Sequence, residues 1–349
     1  MDLISIHNKI IGPGQPCYII AEAGVNHNGD VQRALALIAE AAKAGADAVK
    51  FQTFSAENLV TRTAKMAGYQ VKNTGEEKSQ FDMLKALELP LSAYPELQSY
   101  AGSLGIDFLS TPFDETAVDF LGKLDVPLFK VGSGDMNNHP YLRKIAVWKR
   151  PVILSTGMAD LDEVLESVSV LRNAGLNEII VLQCTTNYPA QNHEINLRAM
   201  QTLHQQTGCI TGFSDHTESI LAAIVSVALG ASVLEKHFTL DKNLPGPDHK
   251  ASLEPGELKR MITQIREAET MLGDGIKKPN PSEISIREVA RKSIVSARNI
   301  PAGKIITSED IICKRPGNGI QPREWEKIIG KTAKEAIEED CLLSWDDIS

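Results

Sequence analysis

The stretch CYIIAEAGVNHNGDVQRALALIAEAAKAGADAVKF, residues 17–51, decides the fold. It begins with an apolar run at Cys17–Ala21 and ends with another at Ala48–Phe51, and each has the length of a buried strand. Between them, Val31–Ala44 has the apolar spacing of an amphipathic helix, and Gly45 follows as a helix stop. A strand, a helix and a second strand in this order predict a parallel βαβ unit.

Six further apolar runs, separated by helical stretches, repeat this unit along the chain. The eight predicted strands are Cys17–Ala21, Ala48–Phe51, Asp107–Leu109, Leu128–Val131, Val152–Leu154, Glu178–Gln183, Ile210–Phe213 and Ser232–Glu235. Eight such units fit a closed (β/α)8 TIM barrel better than an open doubly wound sheet, which is the second choice. We therefore predict an α/β fold in which residues 1–273 form a catalytic barrel.

The pattern changes after residue 273. The stretch LGDGIKKPNPSE is rich in Gly, Pro and Lys, which predicts a linker over residues 274–284. Beyond it, short β-like runs broken by turn residues predict a small domain over residues 285–349. The total of 349 residues suits a barrel of about 250 residues with a small additional module.

Composition restricts the partners and the compartment. The net charge of −9 argues against nucleic acid and anionic membranes as main partners. The five cysteines form no CxxC pair, so neither a disulfide framework nor a cysteine zinc site is favoured. No apolar run approaches the ~20 residues of a membrane span, and the start of the chain lacks a signal-peptide pattern. We expect a cytoplasmic protein.

Polar side chains lie at or just beyond the end of every predicted strand. Active sites of such barrels lie at the carboxyl ends of the strands, so these residues are candidates as a set. They are Glu22, Asn26 and His27; Lys50 and Gln52; Ser110 and Thr111; Lys130, Ser133 and Asp135; Ser155 and Thr156; Thr185 to Tyr188; Ser214 to His216; and Lys236 and His237. A barrel with no chemistry to perform does not need a polar residue at each strand end, so the set predicts an enzyme.

One subset of these residues suits an anionic substrate. Lys50 and Lys130 supply ammonium donors, and Ser133, Ser155 and Ser214 supply hydroxyl groups. Donors of these kinds match the oxygens of a phosphate and a carboxylate. The sequence therefore predicts a site for an anion that carries both groups.

A second subset suits a metal ion. His216 and His237 follow the seventh and eighth strands, and neighbouring parallel strands lie about 4.8 Å apart, so both imidazoles could reach one cation. Imidazole suits Mn²⁺, Zn²⁺, Fe²⁺ or Co²⁺ better than Mg²⁺. With only two protein ligands, positions stay open for water and substrate, as catalysis requires.

Taken together, these segments resemble the sialic acid (N-acetylneuraminate) synthase family, including its legionaminic acid synthase relatives. The matching stretches are IIAEAGVNHNGD, AGADAVKFQTF, FLSTPFDE, FKVGSGDMNN, PVILSTGMA, CTTNYPA, GFSDHT, LEKHFTLDKNLPGPDHKASLEP and KRPGNGI. The resemblance implies a (β/α)8 barrel followed by a small antifreeze-like (SAF) domain, in a domain-swapped homodimer. It also implies that His216 and His237 bind a divalent metal, Mn²⁺ first, with Mg²⁺ or Co²⁺ as alternatives.

The same resemblance assigns the substrates. Phosphoenolpyruvate would be held by Lys50, Thr111, Lys130, Ser133, Ser155 and Ser214. The N-acetylated mannose-type sugar would contact Glu22, Gln52, Tyr188 and Asp248, and Arg315 would reach it from the partner subunit. The implied reaction joins phosphoenolpyruvate, N-acetylmannosamine and water to give N-acetylneuraminate and phosphate, with cleavage of the C–O bond.

The catalytic residues implied are Lys50 and Lys130 for the phosphate charge and either Asp135 or Glu22 for proton transfer. Two positions depart from the family pattern. Asp135 stands where several relatives carry Glu, and Thr186 stands where some carry Asn. The shorter carboxylate changes reach and pKa, and no phosphoenolpyruvate contact is carried over to Thr186.

Four alternatives stay open. The first is a legionaminic acid synthase that uses 2,4-diacetamido-2,4,6-trideoxymannose, and the second is a synthase that makes a 9-phosphate product. A metal-dependent aldolase would accept pyruvate in place of phosphoenolpyruvate. A non-catalytic sugar- or phosphate-sensing barrel would bind ligands without releasing phosphate.

Overall fold

The computed structural model describes residues 3–75 and 79–349. The chain divides into two compact units, of which the first ends at Gly273 and the second begins at Asp274. No helix in the described ranges is long and apolar enough to cross a lipid bilayer.

The first unit alternates strands and helices. Its strands are β1 (Ile4–Ile6), β2 (Lys9–Ile11), β3 (Tyr18–Gly24), β4 (Ala48–Thr53), β5 (Asp107–Pro112), β6 (Phe129–Val131), β7 (Val152–Ser155), β8 (Ile179–Cys184), β9 (Ile210–Asp215) and β10 (Val233–His237). Its helices are α1 (Val31–Ala44), α2 (Ala56–Leu59), α3 (Gly68–Thr74), α4 (Gln80–Leu87), α5 (Tyr94–Ser103), α6 (Glu115–Lys123), α7 (His139–Ala146), α8 (Leu161–Asn173), α9 (Ala199–Thr207), α10 (Leu221–Ala228) and α11 (Pro255–Leu272).

Strands β3 to β10 form one parallel sheet in the order β5-β4-β3-β10-β9-β8-β7-β6. The first and last strands of this order, β5 and β6, lie beside each other, so the sheet curves into a near-closed barrel. This confirms the predicted (β/α)8 barrel, and the open doubly wound sheet is wrong. All eight predicted strands are present, and most continue one to three residues beyond the predicted end.

The amino-terminal end of the barrel is filled with apolar side chains. A buried cluster there joins Tyr18, Ile20, Ala48, Leu109, Leu128, Ile153, Ile180, Leu182, Ile210 and Val233 from the barrel strands. The antiparallel pair β1–β2, which the sequence analysis missed, adds Ile4, Ile6 and Ile11 to this cluster. Because this end is packed solid, a substrate can enter only at the carboxyl ends of the strands.

A long excursion between β4 and α5, here called the β4–α5 segment (residues 54–93), carries α2, α3 and α4. It starts at the carboxyl end of β4, the end that carries the candidate residues. Its side chains Phe54, Met83 and Leu87 are buried in a small apolar cluster with Val25. The amide of Asn73 donates to the carbonyl of Pro247 at 2.7 Å, which ties the segment to the loop after β10.

The second unit has its own apolar core around a two-stranded antiparallel sheet. Its elements are α12 (Pro281–Ala290), β11 (Ser293–Ser296), β12 (Ile311–Lys314) and α13 (Trp325–Ile328). The predicted linker over residues 274–284 ends earlier than expected, because residues 281–284 form the first turn of α12. Pro281 suits the first helical position, and the Glu283 carboxylate accepts from the Asn280 amide at 2.8 Å, so these polar residues start a helix.

Asp310 anchors the second unit, and Asp310→Asn is expected to lower the free energy of unfolding of this unit by about 2–4 kcal/mol. Its fully buried carboxylate accepts from Lys304 at 2.5 Å, from Arg298 at 2.8 Å and from both the amide and hydroxyl of Thr307. Burial opposes ionisation, but these donors outweigh burial and hold the pKa of Asp310 below its ordinary value of 3.8.

A lowered pKa means that the native state holds the proton less tightly than the unfolded chain. The stabilisation from Asp310 is therefore complete above pH 4 and is lost as the pH falls through the lowered pKa. Amide hydrogen exchange of residues 293–349 in the full chain, at pH 7 and at pH 3.5, measures both effects. Asp340→Asn is the matched control, because its pair with Lys314 is exposed and should contribute under about 1 kcal/mol. Equal protection in the two variants would contradict the anchoring role.

Candidate active site

The alternation of side chains along the barrel strands places the candidate residues. Successive residues of a strand face opposite sides, so residues two apart share a side. In β3, Ile20 lies in the apolar interior cluster and Glu22 follows two residues later. In β10, Val233 lies in the same cluster and is followed by Glu235 and then His237. The interior is therefore apolar at one end of the barrel and polar at the other.

These polar ends border one pocket of about 460 Å³. Thirteen of the predicted site residues line it, namely Glu22, Lys50, Gln52, Thr111, Lys130, Ser133, Asp135, Ser155, Tyr188, Ser214, His216, His237 and Asp248. Arg315 belongs to the second unit, where its exposed side chain donates from Nε to the carbonyl of Ala290 at 3.0 Å.

Two buried lysines and two buried carboxylates form the centre of the pocket floor. Lys50 Nζ lies 2.5 Å from Glu22 Oε2 and 3.6 Å from Glu235 Oε2, and it donates to Thr111 Oγ1 at 2.8 Å. Lys130 Nζ lies 3.6 Å from Glu235 Oε1. Glu235 thus bridges the two ammonium groups, and the floor is a charge cluster with little exposure to water.

Hydroxyl groups complete the hydrogen bonding of this cluster. Lys130 donates to Ser155 Oγ at 2.7 Å, and Ser214 Oγ donates to Glu235 Oε1 at 3.0 Å. Ser133 Oγ accepts from the backbone amide of Gly157 at 3.0 Å. Thr111 and Ser155 therefore lie beside the lysines, Ser214 bonds to the carboxylate between them, and Ser133 lines the same pocket.

The two carboxylates of the cluster differ in pKa. Burial, with a contribution from the neighbouring Glu235 charge, raises the pKa of Glu22 to about 7 against the pull of Lys50. Burial also opposes ionisation of Glu235, but Lys130 and Lys50 outweigh it and lower the pKa of Glu235 to about 2. Glu235 is therefore the permanent anion, and Glu22 exchanges a proton near neutral pH, as a general acid or base must.

The pKa values of the two lysines shift in opposite directions. Burial lowers the pKa of Lys50, but the carboxylates of Glu22 and Glu235 outweigh it and raise that pKa above its ordinary value. Burial lowers the pKa of Lys130, which Glu235 offsets only in part. An arriving anion would stabilise the charged form of Lys130, since it is the less compensated of the two ammonium groups.

Two further carboxyl groups line the pocket. Burial raises the pKa of Asp248 to about 6, and it also raises the pKa of the half-buried Asp135. Asp135 accepts from Asn138 at 3.4 Å, and Glu22 accepts from Gln52 at 3.3 Å. Both predicted proton-transfer candidates, Asp135 and Glu22, thus line one pocket with raised pKa values.

The two predicted metal ligands face each other across the pocket. The ring centroids of His216 and His237 are 5.6 Å apart, and the Tyr188 ring packs on His216 at 4.1 Å. His216 Nδ1 lies 2.8 Å from the carbonyl oxygen of Thr185, so Nδ1 carries a proton and Nε2 is the nitrogen left for a metal. Burial lowers the pKa of His216, but Cys184 outweighs burial and raises that pKa above its ordinary value, so a bound cation would have to displace the second proton from Nε2. Burial lowers the pKa of His237 well below its ordinary value, which keeps it in the neutral form that binds metals.

The donor set fits a divalent cation. His237 Nδ1 is buried and has no hydrogen-bond partner among the described residues. The described part of the chain holds no group of three or more His, Cys, Asp or Glu side chains arranged for a metal. Two imidazoles suit Mn²⁺ or a similar first-row ion and leave positions for substrate oxygens.

Sequence reasoning missed two residues of this site. Glu235 was placed only as the end of a strand, although it precedes His237 by two residues and must therefore face the same interior. Cys184 lines the pocket, with Sγ 3.6 Å from Ser133 Oγ and 3.9 Å from His216 Nδ1. Burial opposes its ionisation, but His216 outweighs burial and lowers the pKa of Cys184 to about 7. Its position directly after the predicted strand Glu178–Gln183 is the signal that could have identified it.

This arrangement has counterparts among known proteins. The chain matches the NeuB family over residues 37–277 and the SAF domain over residues 291–349. It is 50% identical to the N,N'-diacetyllegionaminic acid synthase of Campylobacter jejuni, over 93% of this chain and 98% of that protein. The chain belongs to the NeuB family. The match to the SAF domain confirms the predicted antifreeze-like module.

Two further relatives agree with this membership. The N,N'-diacetyllegionaminic acid synthase of Legionella pneumophila is 47% identical over 97% of this chain and 96% of that protein. The crystal structure of the N-acetylneuraminic acid (sialic acid) synthetase of Leptospira borgpetersenii, in complex with citrate, is 34% identical with a TM-score of 0.73. It covers 82% of this chain and 95% of that chain. The resemblance to sialic and legionaminic acid synthases is thereby confirmed at the level of the family.

Proposed function

We propose that this protein condenses phosphoenolpyruvate with an N-acylated mannose-type aldehyde and water, giving a nine-carbon 2-keto sugar acid and phosphate. The observation that carries the proposal is the pocket floor, where Lys50, Lys130 and Glu235 lie in one cavity with His216 and His237. A buried lysine pair with hydroxyl neighbours suits a substrate that carries a phosphate and a carboxylate.

The lysines and hydroxyls bind phosphoenolpyruvate. Lys50 with Thr111, and Lys130 with Ser155, form two donor pairs, and Ser133 and Ser214 extend them. Because both ammonium groups are buried, they stabilise the charge of the departing phosphate more strongly than they would in water. Glu235 keeps the pair charged and fixed before the substrate arrives.

His216 and His237 would hold a divalent cation, Mn²⁺ first, with Mg²⁺ or Co²⁺ as alternatives. When bound, such a cation supplies Lewis-acid polarisation of the sugar aldehyde. Tyr188 packs against both imidazoles and restricts their orientation. Together with Gln52 and Asp248, which line the same cavity, Tyr188 would position the sugar.

The methylene carbon of phosphoenolpyruvate attacks the aldehyde carbon. A new C–C bond forms, the π bond of the aldehyde C=O breaks, and its oxygen takes up a proton to become a hydroxyl group. Water then adds to the former enol carbon, giving a tetrahedral carbon that carries a hydroxyl and a phosphate. Its collapse breaks the C–O bond and releases inorganic phosphate with the 2-keto acid. Glu22, with a pKa of about 7, is the first candidate to accept the proton of the water, and Asp135 is the second.

Two sugars are candidates. The sequence resemblance favoured N-acetylmannosamine, which gives N-acetylneuraminate, and the relatives at 47% and 50% identity are legionaminic acid synthases. The deciding experiment measures phosphate release from phosphoenolpyruvate with Mn²⁺ and either N-acetylmannosamine or 2,4-diacetamido-2,4,6-trideoxymannose. Release with either sugar, abolished by EDTA, supports the proposed reaction. Binding of both ligands without release would favour a sensing barrel, and turnover with pyruvate would favour an aldolase.

Arg315→Ala tests whether the second unit completes the site of a partner subunit in a domain-swapped homodimer. The variant is expected to raise the sugar KM roughly tenfold or more, because a hydrogen bond from a charged donor is lost. The phosphoenolpyruvate KM should stay within about twofold, since Lys50 and Lys130 remain. Arg323→Ala, which removes another exposed arginine of the same unit, is the control. Equal rises in both KM values, or a fully active monomer, would contradict the assignment.

A further inference from the structure

A buried ion pair lies directly behind the two predicted metal ligands. Lys236 Nζ lies 2.9 Å from Asp215 Oδ2, and neither side chain is exposed to water. His216 follows Asp215 in the chain, and His237 follows the lysine in the same way. Because successive residues of a strand face opposite sides, the ion pair points away from the pocket that both imidazoles line.

The two histidines differ in how their backbones are held. Strands β9 and β10 are paired in register as far as Asp215 and Lys236, which form the last pair of that register. His237 is still paired on its other side, with Glu22 of β3. Strand β9 ends at Asp215, so His216 stands at the start of the turn that follows. The position of the His216 ring therefore depends on how this turn is fixed.

Both members of the ion pair bind the backbone of this turn. Lys236 Nζ donates to the carbonyl oxygen of Thr217 and, at 3.3 Å, to that of Ser219. The amide of Thr217 donates in turn to Asp215 Oδ1 at 2.8 Å. The turn over residues 216–219 is thus attached to β10 by the lysine side chain and to β9 by the aspartate side chain.

Stability alone is a weak reason for a fully buried ion pair. The cost of removing two charges from water cancels much of their attraction, and apolar side chains of the same shape often give equal or greater stability. A charged pair with directional hydrogen bonds to a turn adds something else, because it selects one backbone arrangement. Two imidazoles bind one cation only when their nitrogens are correctly spaced, so this arrangement acts on metal affinity.

We propose that the ion pair of Lys236 and Asp215 positions the turn after β9 so that both imidazoles of the pocket reach one divalent cation. The two residues are positioning residues, since they line no part of the pocket and act through the backbone that carries His216. The inference rests on the proposed function, in which the imidazoles bind the cation. Loss of the pair should therefore weaken metal binding while phosphoenolpyruvate binding is kept.

A double variant separates metal affinity from stability. Lys236→Met and Asp215→Asn each leave one buried charge unpaired, so each single change should lower the midpoint of chemical denaturation. The double variant removes both charges and keeps an acceptor for the Thr217 amide, so its midpoint should lie above that of either single variant. Its Mn²⁺ affinity should nevertheless stay about tenfold or more below that of the parent chain, because methionine cannot hold the carbonyls of the turn.

Titration of the full chain with Mn²⁺, followed by electron paramagnetic resonance, measures the metal affinity. The affinity of the metal-free double variant for phosphoenolpyruvate should stay within about twofold of the parent value, because the floor lysines lie on other strands. Lys144→Met with Asp119→Asn, which removes an ion pair between α6 and α7, is the matched control and should bind Mn²⁺ as the parent does. Unchanged Mn²⁺ affinity in the folded double variant, or an equal loss of phosphoenolpyruvate affinity, would overturn the inference and leave the proposed reaction standing. No Mn²⁺ binding by the parent chain would refute the metal assignment and the inference together.

Discussion

Glu235→Gln is expected to lower the free energy of unfolding by about 3–5 kcal/mol and to reduce kcat/KM by about a thousandfold. The carboxylate of Glu235 lies 3.6 Å from both Lys50 and Lys130, in a floor where all three side chains are almost fully buried. Glutamine keeps the shape but removes the charge. Two buried ammonium groups would then share the single negative charge of Glu22, so one buried positive charge would be left without compensation.

Added phosphate or phosphoenolpyruvate should restore part of this loss, because either anion returns negative charge to the lysine pair and binds only the native state. The pKa of Glu22 should also fall, since the Glu235 charge is one of the causes that raise it. Chemical denaturation with and without an excess of phosphate, about 10 mM, measures the restored stability. The pH profile of kcat/KM measures the change in the pKa of Glu22. Glu40→Gln, in an exposed pair on α1, is the control. A fully stable, active Glu235→Gln variant would refute the charge-bridge role.

The sequence predicted the barrel because its strands are buried on both sides and read as short apolar runs. The predicted ends came too early for one physical reason. Gln52 was treated as a residue beyond the predicted strand Ala48–Phe51, yet β4 pairs with β5 as far as Thr53. A polar side chain that faces the barrel interior does not interrupt the backbone pairing, so hydrophobicity alone places the strand end too soon.

The site residues that could be predicted are single charged or imidazole side chains at the end of an apolar strand. Lys130 and His237 were found in this way, and the structure places both on one pocket. Glu235 was missed because its importance comes from two lysines on other strands, and Cys184 because its proximity to His216 exists only in the folded chain. The apolar residues Leu59, Met83, Leu84 and Leu87, which also line the pocket, were missed for a similar reason. Leucines and a methionine on a helix predict a core, and only the structure shows that they also border the pocket.

In the second unit, short runs and turn residues predicted a small domain and the family resemblance implied its SAF type, but the start of α12 was not predicted. The Gly- and Pro-rich stretch before it predicted a linker, and proline was read as a breaker. Pro281 instead occupies the first position of α12, where its missing amide hydrogen costs nothing. Proline occurs both in linkers and at helix starts. Here the backbone amide of Asn280 donates to the Glu283 carboxylate, which indicates a helix start.

His237→Ala is expected to lower the affinity for Mn²⁺ by at least 100-fold and kcat by about 10³-fold or more. Removal of one of two imidazoles leaves the metal with a single protein ligand. The resulting loss of metal affinity should exceed the 10- to 100-fold that is typical when a residue hydrogen-bonded to a metal ligand is changed. Lewis-acid polarisation contributes several kcal/mol to a reaction, and each 1.36 kcal/mol corresponds to a tenfold change in rate. His216→Ala should behave alike, with an added loss of packing against Tyr188.

Titration with Mn²⁺ followed by electron paramagnetic resonance gives the affinity directly, and phosphate release gives kcat in the same samples. His204→Ala is the matched control, because its ring bonds to the carbonyl of Cys209 and does not line the pocket. Lower affinity in both ligand variants and unchanged affinity in His204→Ala would support the assignment. Unchanged Mn²⁺ affinity in folded His237→Ala would exclude this histidine as a ligand.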